Sequence, residues 1–351
     1  MVNEKISKSE NKKCLPVWAI VLIVVGGLLV LVGLFLLAVR GYFRLPVSDY
    51  YRNSEATFYI PGTNEGFIAQ GIADDTKGNN FFVTGYMKNG SASPVYVVDK
   101  ESGKLKKTVF AQTEDGSDFN GHCGGIEVYG DYVYIAGSAD CCLYVCRYND
   151  VMNAEDGGKV KLIGKVDLKV SDDDKVRVSF VTKTEEGLIA GEFYRAGNYD
   201  TLESHWYKTA AGDLNKAMAV LVKFSETGEF GVEDAPSAAL SLPDQVQGLC
   251  VLGNSLYIST SYGPAFSTIY RYDINAAKTD EKVTLLGKEL PLYVFDSASQ
   301  KSAKKIAPMS EELIAVDGKL YIMCESASDK YIFGKFTSSE RCYATKVEFF
   351  D

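Results

Sequence analysis

Two hydrophobic patterns divide the chain. From Val17 to Val39 the sequence VWAIVLIVVGGLLVLVGLFLLAV runs for 23 residues without a charge. About 20 apolar residues let a helix cross the hydrocarbon core of a bilayer, whereas a buried soluble helix of that length would show a polar face. The run predicts a transmembrane helix. It is longer than the ~7–15-residue apolar region of a signal peptide and is followed by no small-residue cleavage site, so a retained anchor is expected. Beyond residue 55 the pattern becomes short alternations of apolar and polar residues, which predict strands.

The strands repeat. GIEVYGDYVYIAG (125–137), GLCVLGNSLYIST (248–260) and ELIAVDGKLYIMC (312–324) each join two strands through a Gly-Asp, Gly-Asn or Asp-Gly turn. Such dipeptides between alternating runs are strong hairpin signals. SFVTKTEEGLIAG (179–191) and the longer GIADDTKGNNFFVTG (71–85) fit the same pattern. Third strands follow at 94–103, 142–150, 219–228, 268–276 and 342–350, and fourth strands at 104–111, 159–168, 237–243 and 282–290. The fifth unit lacks a fourth strand, and ATFYIPG (56–62) is free to supply it. Five four-stranded units closed by an N-terminal strand predict an all-β protein, a five-bladed β-propeller, after one transmembrane helix. Closure removes the exposed edges that an open sheet would leave. Six blades are the alternative count, because LPLYVFD (290–296) reads as an extra strand. A two-sheet sandwich is the competing fold, but it does not require the same strand order five times.

Charge sets the expected orientation. Lys5, Lys8, Lys12 and Lys13 precede the apolar run, and Arg40 and Arg44 follow it. This asymmetry favours a cytoplasmic N-terminus. The expected organisation is a cytoplasmic tail (1–16), a transmembrane helix (17–39), a stalk (40–54) and an extracytoplasmic propeller (55–351). Residues 1–44 carry a net +4, so residues 45–351 hold −13 of a chain whose total is −9. An acidic outer domain without a basic run argues against nucleic acid as a partner. Seven irregularly spaced cysteines in the outer domain do not make a disulfide scaffold. Cys123 with Cys141 or Cys142, and Cys324 with Cys342, are the candidate pairs.

Aligning the units gathers candidate chemistry on one face. Gln247 falls opposite Gly124, Val178 and Glu311, and Gln70 joins them once the longer first unit is allowed for. This ring should line the mouth of the central channel, with His122 and Cys123 just above it. Glu192 and Glu325 close the second strands on the same face and begin two long insertions, 192–217 and 325–340. The first insertion holds His205 and Trp206. Glu311, Glu192 and Glu325 suit acid–base work of the kind that cleaves glycosides. His122, Cys123, Cys141, Cys142 and His205 are the soft-ligand set for Zn²⁺, and Gln70, Gln247 and the glutamates are oxygen donors for Ca²⁺ at the axis. Insertion aromatics such as Trp206 and Tyr331 suit stacking on a sugar or peptide. No P-loop, dinucleotide-binding glycine pattern, Gly-x-Ser-x-Gly or His-Glu-x-x-His motif is present.

Gln-Gly-Ile (70–72) and Gln-Gly-Leu (247–249) entering a unit, with Tyr-Ile or Tyr-Val in the second strand, resemble the lactonase-like and quinoprotein-like propellers of extracytoplasmic bacterial proteins. The resemblance covers residues 55–351. It implies a fold and a ligand-binding face, and it transfers no catalytic residue. The arabinanase and levansucrase type of five-bladed propeller also rings its channel with acids, but the Asp-rich start of its first blade is missing here. The expectation is a membrane-anchored propeller that binds a small molecule, a glycan or an envelope protein through Gln70, His122, Glu192, His205, Trp206, Gln247, Glu311 and Glu325. The alternative is a hydrolase with a carboxylate or metal site in the channel.

Overall fold

In the computed structural model, residues 15–337 and 339–351 are described. The four lysines that set the expected orientation lie outside them. The chain forms two compact units, Met1–Tyr42 and Phe43–Asp351. In the first, an α-helix begins at Val17. It is long and apolar enough to cross a membrane, and none of its apolar stretch is buried. Residues 40–54, read from the sequence as a stalk, are helical as far as Arg52. Within this segment Val47, Tyr50 and Tyr51 are buried among apolar residues of the strand domain.

The second unit is a β-propeller built from successive antiparallel meanders. The first three are Phe67–Asp75 to Leu105–Gln112, Cys123–Tyr129 to Gly158–Asp167, and Val178–Lys183 to Ala238–Leu242. The fourth runs from Val246–Leu252 to Gln300–Pro308, and the fifth holds Ser310–Val316, Lys319–Cys324 and Arg341–Lys346. Ser54–Tyr59 completes the fifth meander, pairing Ser54 with Thr345 and Ala56 with Tyr343. N-terminal closure is therefore as the sequence predicts, two to three residues earlier than expected. The first strand of each meander touches the first strand of the next, and that of the fifth returns to the first. The apolar core follows the same circuit. Ile126 shares a cluster with Phe82, Tyr134 with Val181, Phe180 with Leu249, Tyr257 with Leu313, and Ile314 with Ile72, each cluster spanning neighbouring sheets.

One predicted strand is corrected. Residues 282–290 are not the outer strand of the fourth meander. They hold a hairpin, Lys278–Leu285 with Lys288–Val294, turned at Leu286 and Gly287. Both turn residues have positive φ, 52° and 70°, as a two-residue type I′ connection requires. The hairpin adds in parallel to the outer edge of the third meander, where Ala239 pairs with Leu292. Gln300–Pro308 takes the vacated place beside Phe266–Asp273. The extra strand read at LPLYVFD exists, and it extends a neighbouring sheet.

The disulfide expectation is also corrected: all seven described cysteines are free and buried. Cys123 and Cys142 both pair with Gly137 from opposite sides. Two strand spacings, roughly 9–10 Å, therefore separate them, beyond the ~7 Å limit for a disulfide. Cys342 and Cys324 pack into different clusters. They lie one position out of register on adjacent strands, so their side chains leave opposite faces of the sheet.

Candidate functional site

Each innermost strand carries an irregularity near the same end. Register shifts lie between Ala69 and Gly71, Cys123 and Ile126, Val178 and Phe180, Val246 and Gly248, and Ser310 and Leu313. A bulge bends the strand and re-aims a side chain, and bulges are common at barrel rims and beside sites. Here the extra residues include Gln70, Ser179, Gln247 and Glu311, and all four line one cavity of about 370 Å³. The sequence alignment is one residue off in the third meander. Val178 is fully buried and opposes Glu192, and Ser179 takes the mouth position.

The following residue in each strand closes the axis. In four of the five strands it is Gly71, Gly125, Gly248 or Glu312. The Glu312 carboxylate, contributed by the fifth meander, accepts backbone N–H bonds from Ile72 at 2.9 Å, Ile126 at 3.3 Å and Val181 at 3.2 Å. One side chain thus ties together the inner strands of the first, second, third and fifth meanders. A Cβ on Gly248 would stand 2.6 Å from the Glu312 Cα, and one on Gly125 would stand 2.9 Å from its Oε1. The glycines make room for the carboxylate. Burial pushes the Glu312 carboxyl well above the usual range and nearby Glu127 adds to this, while the three amides pull the other way. The signal in the sequence is a carboxylate, adjacent to Glu311, in an alignment column otherwise rich in glycine.

Above this plug the cavity is an amide–carboxyl network. Gln70 Nε2 donates to Glu325 Oε2 at 3.0 Å and to Ala69 O at 2.9 Å. Its Oε1 lies 2.7 Å from His122 Nε2. A carboxamide oxygen only accepts, so His122 carries its proton on Nε2. The imidazole stacks on Tyr86 at 4.4 Å. Burial of the ring, and then the Lys330 ammonium, hold its pKa below the ordinary value. Gln247 Nε2 lies 3.4 Å from Glu311 Oε1 and 3.3 Å from Ser261 Oγ. Tyr331 donates to Glu325 Oε1 at 2.6 Å, and Lys330 Nζ lies 2.5 Å from the Tyr86 hydroxyl. The insertion after Glu325 thereby roofs one side of the cavity. Glu311 is 2% exposed. Burial raises its carboxyl well above the usual range, and Glu325 and Glu312 raise it further. Burial also raises Glu325, against the hydrogen bond from Tyr331, the Lys330 charge and the hydrogen bond from Gln70.

Gln70, His122, Gln247, Glu311 and Glu325 are therefore brought together, and Glu192, His205 and Trp206 are not. Glu192 and His205 are buried, with Oε2 2.8 Å from Nδ1. Glu192 also accepts from the Met218 and Arg177 amides. Trp206 Nε1 donates to Thr201 at 3.2 Å, and its ring packs edge-on to Tyr194. These residues fasten the 192–217 insertion to the third meander. The insertion reaches the cavity through Phe193 and Tyr199 instead. Arg177 and Tyr262 also line it and were not singled out in the sequence, and Ser138, which aligns with Glu192 at the exit of the second strands, lines it too.

Among the described residues, no group of three or more His, Cys, Asp and Glu side chains could hold a metal ion.

No protein-family model matches the chain, and no curated protein matches it. Solved structures resemble it at the level of the fold. The glutaminyl cyclase of Myxococcus xanthus is 10% identical with a TM-score of 0.41, covering 83% of this chain and 94% of that one. The PQQ-bound aldose sugar dehydrogenase of Streptomyces coelicolor is 11% identical with a TM-score of 0.41, covering 83% and 95%. BamB from Moraxella catarrhalis is 9% identical with a TM-score of 0.32, covering 79% and 84%. At these identities the likeness carries no functional argument.

Proposed function

We propose that the chain is a membrane-anchored, five-bladed propeller that binds a small polar molecule at the mouth of its axis. In this reading the N-terminus is cytoplasmic and the propeller lies outside. The carrying observation is one cavity lined by polar side chains from all five meanders: Gln70, His122, Ser179, Gln247 and Glu311. Its volume, about 370 Å³, lies within the usual range of small-molecule sites, roughly 300–1,000 Å³. Buried polar groups need partners, and among the described residues the Glu311 carboxyl has only the long contact from Gln247. A ligand would complete it. The test is native mass spectrometry of the full chain from detergent. A bound species should be lost when Gln247 and Glu311 are both replaced by leucine with the fold intact. An unchanged species in that variant would refute the site.

Hydrolysis is the second reading, favoured by two neighbouring carboxyls, Glu311 and Glu325, whose burial raises both. Raised and unequal carboxyl pKa values are how acid and base roles are assigned. Turnover of chromogenic glycosides or lactones, abolished by either Glu311→Gln or Glu325→Gln, would support it. Absence of turnover across such a panel would leave binding alone.

A further inference from the structure

We infer that the ligand is a small amphoteric molecule, its ammonium group held by Glu311 and Glu325 and its carboxylate by Arg177. This rests on reading the cavity as a ligand site. Glu311 and Glu325 both come from the fifth meander, and neither has a lysine or arginine within ion-pair distance among the described residues. Glu311 is nearly fully buried, lines the cavity, and has no hydrogen-bond partner for Oε2 among the described residues. Burial disfavours the ionised form of both carboxyls, and an ammonium placed against them would favour it. The Lys330 charge acts on both carboxyls only from beyond ion-pair distance, since its ammonium is held by the Tyr86 hydroxyl and lies over the Tyr86 and Tyr331 rings at 4.8 and 5.3 Å. Those rings add π faces that also favour an organic cation.

The opposite charge is supplied across the axis. Arg177 precedes the inner strand of the third meander, two places round the ring from the fifth. Arg177 is among the residues that line the cavity, is itself exposed, and among the described residues its guanidinium makes no ion pair or hydrogen bond. Ser138 and Ser179 lie on the same side and add hydroxyls. A guanidinium with two hydroxyls suits a carboxylate, which accepts paired N–H bonds from arginine. Acids on one wall and a free guanidinium on the other therefore match a molecule with an amine at one end and an acid at the other, such as an amino acid or a short peptide. A neutral saccharide offers no cation to the acids and no anion to Arg177.

The test uses full-length protein in detergent micelles and calorimetric titration with a panel of dipeptides. Each dipeptide is paired with its N-acetyl and C-amide forms, and a neutral disaccharide serves as comparison. At least one free dipeptide should bind, and capping either end should weaken binding tenfold or more, the scale of a lost charge-assisted bond. Arg177→Gln should erase the difference between acid and amide while keeping the N-acetyl effect. Glu325→Gln should do the reverse. The capped-ligand comparison needs no variant, so a misfolded mutant does not blunt it. Dipeptides that fail to bind, or bind equally when capped, overturn the inference. If the disaccharide binds in a Glu311-dependent manner and no dipeptide does, the amphoteric ligand is wrong and the ligand site stands.

Discussion

Glu311 and Glu312 are neighbours in sequence with different work to do. Glu312 satisfies three amides at the axis. Glu312→Gln keeps the shape but turns an NH₂ group towards amide donors, so it should destabilise the domain by about 1–3 kcal/mol. Chemical denaturation would measure this, and an unchanged midpoint would remove Glu312 from its role as a fastener. Glu311 should show itself through pH. Its carboxyl is raised in the folded protein, so the native state binds more protons than the unfolded chain above the ordinary glutamate pKa, about 4.3. Its contribution is complete below that value and is lost as pH rises through the raised value. Thermal melts between pH 4 and 8 should therefore fall less steeply for Glu311→Gln than for the parent, and parallel slopes would contradict the assignment. The mouth position of Glu311 was legible, because the hairpin repeat fixes its column. The burial of Glu192 against His205 was not, because a partner 13 residues away inside an insertion leaves no periodic trace.

At the scale of elements, turns carried the fold. Gly-Asp, Gly-Asn and Asp-Gly placed three hairpins, and the missing fourth strand of the last unit pointed to the N-terminal one that closes the ring. Other turns carry a weaker signal. Leu286-Gly287 looked like the interior of one strand, because leucine seldom takes positive φ, yet it turns a hairpin that moves 278–294 onto the neighbouring sheet. The bulges were invisible, since one extra residue per inner strand does not disturb an apolar pattern, and they account for the Val178–Ser179 offset. The closing strand gives a direct test. Deleting residues 54–59 exposes the edge of Arg341–Lys346 and removes Phe58 from its cluster with Phe81 and Ile314. The truncated protein should melt well below the parent as one cooperative loss. Equal melting would mean that the ring does not depend on this strand.

For the whole molecule, an apolar helix and an acidic propeller together account for the composition and charge. Topology is open to direct test: a membrane-impermeant thiol reagent on intact cells should label a cysteine introduced at the exposed Tyr199, and labelling only after lysis would reverse the proposed orientation. The central claim is that the axial mouth, closed below by Glu312 and roofed by the insertion after Glu325, is a ligand site. A thermal-shift screen of polar small molecules against the full chain, run beside the Gln247→Leu, Glu311→Leu double variant, tests it most directly. Compounds that raise the melting temperature of the parent and leave the variant unmoved are the expected result. A screen in which every stabilising compound acts equally on both proteins, or in which none acts on the parent, would contradict it.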